Sequence, residues 1–261
     1  MNTPVRNVLD ETDVDFADAP RLTLSPAEFA RDAQASGAIN EWLASVDAAT
    51  RVRWSLQNLP GPFALTSSFG AQAAVSLHLV AVQRPDIPVI LIDTGYLFPE
   101  TYQFVEQLQR QLSLNIQRFA GHQSVAEFEA QHGKLWEKGR EGLDQYLEIR
   151  KVEPMRRALQ TLGTHTWFAG LRRSQAESRA KLNPLEVRDG RFKVHPIFDW
   201  SDRDVYLYLK AHSLPYHPLW DQGYISIGDW HSTKSLSEVS SAEELRFAGL
   251  KRECGIHGLE G

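Results

Sequence analysis

Apolar residues recur along this chain in two rhythms that succeed one another. Ile39, Trp42, Leu43 and Val46 fall at i, i+3, i+4 and i+7, one face of a helix that Leu59-Pro60-Gly61 should end near residue 59. Shorter runs follow. Strands are predicted at Phe63–Thr66, Val89–Ile92, Leu114–Phe119 and Thr166–Ala169, and helices at Ala71–Gln83, Pro99–Leu112, Ser124–His132 and Glu153–Leu162. Pro88-Val89-Ile90-Leu91-Ile92 is apolar throughout, as suits a strand covered on both faces. Asp189-Gly190 between Glu186-Val187-Arg188 and Arg191-Phe192-Lys193-Val194 predicts a hairpin, and Ser201 is placed to cap a helix over Ser201–Ala211. Such alternation predicts an α/β fold, a doubly wound parallel sheet with ligands at the carboxyl ends of its strands. Residues 1–38 read as an acidic lead-in, 39–215 as the α/β core, and 216–261 as a tail over the core's active edge, where Gly, Ser, His and Trp replace apolar periodicity.

Composition narrows the function classes. Of 261 residues, 42% are hydrophobic and 23% charged, ample for one large core. A net charge of −5 argues against general affinity for nucleic acid or anionic membranes, so any anion site must be a local cluster of Lys and Arg. No apolar run approaches the roughly 18–20 residues that span a bilayer. Asp10, Glu11, Asp13, Asp15 and Asp18 occupy the place of a secretory signal's basic region. With a single cysteine, Cys254, no internal disulfide can form, and a reducing, cytoplasmic setting is expected.

The chemistry-bearing residues fall in loops. Thr66-Ser67-Ser68-Phe69-Gly70-Ala71-Gln72 follows a predicted strand and opens a helix, so its free N–H groups and hydroxyls suit a phosphate, although an ordinary serine-capped turn explains it equally well. A second loop, Asp93-Thr94-Gly95 before Tyr96, follows the most buried strand, where Asp93 and Thr94 can bond a ribose or an adenine. Together the loops outline a nucleotide crevice. Arg150, Lys151, Arg172, Arg173 and Arg179 lie near predicted loops, where guanidinium groups grip oxyanions, although any one of them alone also fits a solvated helix end. Cys254 stands beside Lys251 and Arg252 with His257 three positions on, a setting that favours the thiolate. Cys254 and His257 also supply half of a zinc-ligand spacing. A structural zinc needs four ligands, and the nine histidines are scattered, so no metal is expected.

With these motifs in this order, from about residue 50 to the C-terminus, the chain resembles the phosphoadenylyl sulfate and adenylyl sulfate reductases of the PP-loop superfamily. The match runs through Ser67-Ser68-Phe69-Gly70, Val89 to Tyr102, Arg150-Lys151-Val152-Glu153-Pro154, Trp167-Phe168-Ala169-Gly170-Leu171-Arg172-Arg173 and Lys251-Arg252-Glu253-Cys254-Gly255-Ile256-His257. ATP-cleaving relatives carry Ser-Gly-Gly-x-Asp-Ser, whereas Phe69 and Gln72 stand here without an acid, so ATP cleavage is not expected. The resemblance implies a Rossmann-like core with a flexible C-terminal tail. It also implies thioredoxin-dependent reduction of 3′-phosphoadenylyl sulfate to sulfite and adenosine 3′,5′-bisphosphate, in assimilatory sulfate reduction. In that scheme Cys254 is the nucleophile and becomes S-sulfonated. Lys151, Arg172, Arg173 and Arg246 contact the substrate, as do the loops Ser67–Gly70 and Asp93–Gly95, and His257 orients the tail or meets the sulfonate. Reduced thioredoxin is the implied electron-donating partner, and a homodimer the implied assembly.

The resemblance also bears on cofactors. Sister enzymes that use adenylyl sulfate hold a four-iron, four-sulfur cluster on a cysteine pair shortly before Arg-Lys and on Cys-x-x-Cys after Ser-Ile-Gly. Tyr146-Leu147 and Asp229-Trp230-His231-Ser232 stand there instead. Without thiolates no cluster is held, so no cluster is expected and the 3′-phosphorylated substrate is favoured; the resemblance implies no flavin either. A cluster-free adenylyl sulfate reductase is the alternative. A PP-loop adenylating enzyme, or a nucleotide-binding regulator without catalysis, leaves the Lys-Arg-Glu-Cys-Gly-Ile-His ending unexplained.

Overall fold

A computed structural model describes residues 19–251 together with Glu253, Gly255 and Ile256. Cys254 and His257 lie outside the described residues. Helices α1 (Pro26–Arg31), α2 (Ala33–Ser45) and α3 (Ala48–Asn58) lead into strand β1 (Phe63–Thr66), helix α4 (Ala74–Ala81), β2 (Pro88–Asp93), α5 (Pro99–Leu112) and β3 (Asn115–Ala120). Then come α6 (Val125–His132), α7 (Gly139–Leu147), a π-helical turn Glu148–Val152, α8 (Glu153–Thr161), β4 (Thr166–Ala169), the hairpin β5 (Leu185–Arg188) and β6 (Arg191–Val194), and α9 (Asp202–Ala211).

The strands form one sheet in the order β3-β2-β1-β4-β6-β5, parallel except for β5, which runs antiparallel to β6. Side chains alternate between its two faces. Leu65, Val89, Leu91 and Phe168 point into one core with Val52, Leu77, Phe104 and Val205 of α3, α4, α5 and α9. Ala64, Ile90, Trp167 and Ala169 point into a second core with Met155, Ala158 and Leu159 of α8. With both faces covered, the strands read as continuous apolar runs, and α4, buried on nearly every side, is apolar at six of its eight positions. The chain builds outward from β1 through β2 to β3, then returns to place β4 on the other flank of β1. The topological switch point therefore lies between β1 and β4.

Three differences from the sequence reading have local causes. The helix expected from Ile39 to about Leu59 is two helices, because Val46 turns extended and Asp47 caps α3, its carboxylate accepting the Thr50 N–H at 2.7 Å. Residues 26–38, assigned to the lead-in, are largely helical, and Phe29 packs edge-on against Phe192 at 5.6 Å. Helix α7, not anticipated, buries Gly142, Leu143, Tyr146 and Leu147. Gly142 is required there, since a Cβ would sit 2.4 Å from the Leu135 carbonyl oxygen.

Arg51 pins α3 to the segment leading into α9. It is 1% exposed, stacks over Phe198 at 4.6 Å and donates to Asp199 through both Nη atoms at 2.6 and 2.7 Å, with Nε bonded to the Leu43 carbonyl at 2.7 Å. Arg51→Met should remove the guanidinium from Asp199 and from the Leu43 carbonyl and lower stability by about 3–5 kcal/mol. Urea unfolding checks this, and a loss of under about 1 kcal/mol would make the pair a surface-like contact.

Candidate active site

A cavity of about 510 Å³ opens at the carboxyl ends of β1 and β4, at the switch point. Its size suits a nucleotide-sized ligand. Three segments wall it: Thr66–Ala73 after β1, Gly170–Gln175 after β4, and, from the arm beyond α9, Ile225–Gly228 with Leu245–Phe247. Lys151, Arg172, Arg179 and Arg246 line it against two carboxylates, Asp202 and Glu253. A basic hollow in a chain of net charge −5 is a local device for holding an anion.

The first wall is a tight turn. Ser67 N–H continues the sheet ladder to the Ile90 carbonyl at 3.1 Å, and Ser67 Oγ accepts the Phe69 N–H at 3.1 Å. Phe69 adopts φ +49° with its ring wholly buried. A bulky residue held in the left-handed region marks a backbone fixed by its surroundings. The ring anchors the turn from behind, and Ser67, Ser68 and Gly70 face the cavity.

The second wall carries Arg172, buried, with Nη2 donating to Asp202 Oδ1 at 2.8 Å and Nη1 to the Trp200 carbonyl at 3.2 Å. Arg173, its neighbour, points elsewhere: its guanidinium stacks over Phe198 at 4.6 Å and Nε donates to the Leu182 carbonyl at 2.8 Å. In the third wall, Thr233 and Arg246 form an antiparallel bridge, and the Arg246 guanidinium lies against Gly228, where a Cβ would fall 2.2 Å from Nη2. Glycine at 228 is what admits that approach.

Lys151 enters from the π-helical turn, a local unwinding common at functional sites. Its Nζ stands 2.7 Å from Asp229 Oδ2. Asp229, wholly buried, also accepts Thr94 Oγ1–H at 2.6 Å and Tyr146 O–H at 2.9 Å. Burial pushes its carboxyl up, yet the Lys151 ammonium and these hydrogen bonds outweigh that and hold it at about 2. Asp229 is therefore a fixed negative charge behind a lysine that faces the cavity.

The Asp93–Gly95 loop supports the site from outside. The Asp93 carboxylate accepts Gly95 N–H at 2.9 Å and Tyr102 O–H at 2.7 Å; the Thr94 carbonyl accepts Arg150 Nε–H at 3.0 Å. Gly95 adopts φ +78°, and a Cβ there would meet Val125 Cγ2 at 2.4 Å. None of the three lines the cavity. Of the described residues expected at the site, Ser67, Ser68, Gly70, Lys151, Arg172 and Arg246 converge, whereas Phe69, Asp93, Thr94, Gly95 and Arg173 do not. Asp229 and Tyr146 support Lys151 as a pair that no local sequence pattern joins. The signal for them was their position, at the two segments where cluster cysteines stand in the sister enzymes.

Those two segments meet in space. His231 stacks on Trp136 at 3.9 Å and 11°, and meets Tyr146 edge-on at 5.0 Å. Aromatic rings thus fill the region. Among the described residues no group of three His, Cys, Asp or Glu is placed to hold a metal ion, and no helix is long and apolar enough to cross a membrane.

His217 fastens the start of the arm. Its N–H donates to the Ala71 carbonyl at 3.0 Å, Nδ1 accepts Leu219 N–H at 3.1 Å, and Nε2 therefore donates to Thr101 Oγ1 at 3.0 Å. Burial lowers this imidazole from 6.5 to about 4. The unfolded chain takes up the proton first, so stability present above 6.5 is lost as pH falls toward 4, by about 1.4 kcal/mol per pH unit. Urea midpoints for His217→Gln should fall less steeply between those pH values than for the wild type, and equal slopes would contradict the assignment.

Comparison with known proteins bears on the fold and the family. A family model described as the phosphoadenosine phosphosulfate reductase domain matches residues 62–235. The chain is 59% identical over 228 residues to the phosphoadenosine 5′-phosphosulfate reductase of Yersinia enterocolitica, covering 87% of this chain and 93% of that one. It is 60% identical over 219 residues to that of Erwinia tasmaniensis, covering 84% and 90%. Among solved structures, the phosphoadenylyl-sulfate reductase of Candida auris, a phosphate complex, superposes with TM-score 0.68 at 30% identity, over 82% of this chain and all of the other. The FMN adenylyltransferase of Candida glabrata, at 15% identity and TM-score 0.55 over 77% of this chain and 65% of its own, shares the fold.

Proposed function

Because this chain belongs to the phosphoadenosine phosphosulfate reductase family, we propose that it reduces 3′-phosphoadenylyl sulfate to sulfite and adenosine 3′,5′-bisphosphate, using Cys254 as nucleophile and reduced thioredoxin as electron donor. Membership makes the chain an oxidoreductase acting on sulfur. One observation carries the assignment of the nucleophile: Glu253 and Ile256, close chain neighbours of Cys254 on its two sides, line the same basic cavity as Ser67, Lys151, Arg172 and Arg246.

The electrons balance in two displacements. The Cys254 thiolate attacks the sulfuryl sulfur, an S–S bond forms, and the S–O bond to the 5′-phosphate breaks with its electron pair leaving on the nucleotide. A thioredoxin thiolate then attacks Cys254 Sγ and expels sulfite. The second thioredoxin thiol resolves the mixed disulfide, so thioredoxin ends oxidised and the transferred sulfur reduced. Lys151, Arg172 and Arg246 oppose the charge that grows on the leaving phosphate, the Ser67–Gly70 turn offers hydroxyls and N–H groups to a phosphate, and His257 acts beside the nucleophile.

The core 39–215 holds the nucleotide and the arm 216–261 carries the nucleophile. The packed rings of Trp136, Tyr146 and His231 support a reductase without an iron–sulfur cluster, and with it the 3′-phosphorylated substrate; no flavin enters the scheme. A homodimer working in cytoplasmic sulfate assimilation completes the reading. Intact-mass spectrometry tests it. Substrate without reductant should add one sulfonate to the protein, which reduced thioredoxin should remove, and adenylyl sulfate lacking the 3′-phosphate should react far more slowly. An unchanged mass would overturn the mechanism, and equal rates with both nucleotides would overturn the substrate.

A further inference from the structure

Arg179 lines the cavity, yet each of its guanidinium nitrogens is already engaged by the protein. Nε donates to Glu253 Oε1 at 2.7 Å and Nη2 to Glu253 Oε2 at 2.8 Å, a bidentate pair, while Nη1 donates to Gln175 Oε1. Ser178 Oγ adds a hydrogen bond to Glu253 Oε1 at 2.9 Å. The pair joins the turn Glu177–Arg179 to the arm across 74 residues of sequence.

The acid partner separates this arginine from Arg172. Asp202, which pairs with Arg172, has a side chain 79% exposed, so a substrate oxyanion can displace it into water at little cost. The Glu253 side chain is 2% exposed, and displacing it would break a bidentate ion pair held away from solvent. Beyond it in sequence, Gly255 adopts φ +81° where a Cβ would meet Val152 Cγ2 at 3.2 Å, and Ile256 packs against the core of Met155, Leu159 and Trp167. The arm is thus fixed by an ion pair before Cys254 and by a glycine turn and an apolar plug after it.

We propose that Arg179 and Glu253 form a latch that positions the nucleophile-bearing segment over the cavity, making Arg179 a positioning residue and not a substrate ligand. The proposal rests on Cys254 being the nucleophile. An ion pair is directional in a way that the Ile256 plug is not, so the latch fixes the approach of the segment and the plug only its proximity.

Single-turnover sulfonation followed by intact mass, nucleotide affinity by calorimetry, and amide hydrogen exchange test it together. Glu253→Gln and Arg179→Met should each slow sulfonation by about 100-fold, the cost of a misplaced reacting group. Affinity for adenosine 3′,5′-bisphosphate should stay within about twofold, and the double variant should be no slower than the slower single one. Exchange in residues 245–261 should rise in all three. If Arg179→Met weakens nucleotide binding about tenfold or more, or if the two single losses multiply in the double variant, Arg179 acts on the substrate and the latch is wrong. Wild-type sulfonation rates in Glu253→Gln would also overturn it. Should Arg179→Met fail to fold, Glu253→Gln decides alone. Should the wild type take up no sulfonate, the nucleophile assignment fails, and hydrogen exchange still judges the latch: unchanged exchange in Glu253→Gln overturns it.

Discussion

Cys254→Ser should abolish sulfite formation, lowering turnover by on the order of 10⁴-fold or more, as loss of a nucleophile does elsewhere. The chain holds one cysteine, so no second thiol can substitute. Serine keeps the shape of the side chain, but its hydroxyl is not ionised near neutrality and no base among the described residues is assigned to it. The cations that hold the nucleotide, Lys151, Arg172 and Arg246, sit on other segments. Affinity for adenosine 3′,5′-bisphosphate should therefore stay within about twofold, a loss confined to the chemical step. The two readouts separate the alternatives. A serine variant that turns over normally removes Cys254 from the reaction and leaves sulfite formation to a different attacking group. One that also fails to bind nucleotide gives the sulfur a structural role in the cavity.

How much of this was legible in the chain depends on the range of the interactions involved. β1 and β4 are found where the apolar runs predict them, because burial on both faces imposes a local signature, and α5 because its one buried face, Thr101, Phe104, Val105 and Leu108, keeps the helical spacing. The break at Asp47 escaped because Val46 keeps the apolar rhythm going, while one carboxylate capping the Thr50 N–H ends it. α7 escaped because its polar residues face solvent and only Leu143, Tyr146 and Leu147 mark its buried side. Within the site the same division holds. Ser67, Ser68 and Gly70 follow a strand directly, so topology carries them to the cavity. Lys151, Arg172 and Arg246 rested on the family resemblance beside their charge, and all three line it. Asp93 and Thr94 also follow a strand, but there Asp93 Oδ1 accepts from Tyr102 and Gly95 and the Thr94 hydroxyl donates to Asp229. Such pairing is invisible until the fold brings partners together. Tyr146 and Asp229 are 83 residues apart, and no local pattern joins them.

That pair sets up the second large effect. Lys151→Met should lower kcat/KM by about 10²–10³-fold, the usual cost of deleting one charged donor from a preorganised site. It should also destabilise the fold by about 3–5 kcal/mol, since wholly buried Asp229 would lose the ammonium 2.7 Å away that holds it ionised. Asp229→Asn is gentler. The amide oxygen can still accept from Thr94 or Tyr146, and Lys151 keeps its charge while losing its fixed direction, so activity should fall by about tenfold. The double variant distinguishes the two roles. With both charges gone, most of the lost stability should return, because no unpaired carboxylate is left in the interior, while kcat/KM should stay as low as in Lys151→Met. Thermal or urea unfolding reads the first quantity and sulfite release the second. If stability fails to return in the double variant, Asp229 is not the charge that Lys151 compensates. If activity returns, the positive charge of Lys151 is not what the reaction uses, and the lysine serves only to neutralise the aspartate beneath it.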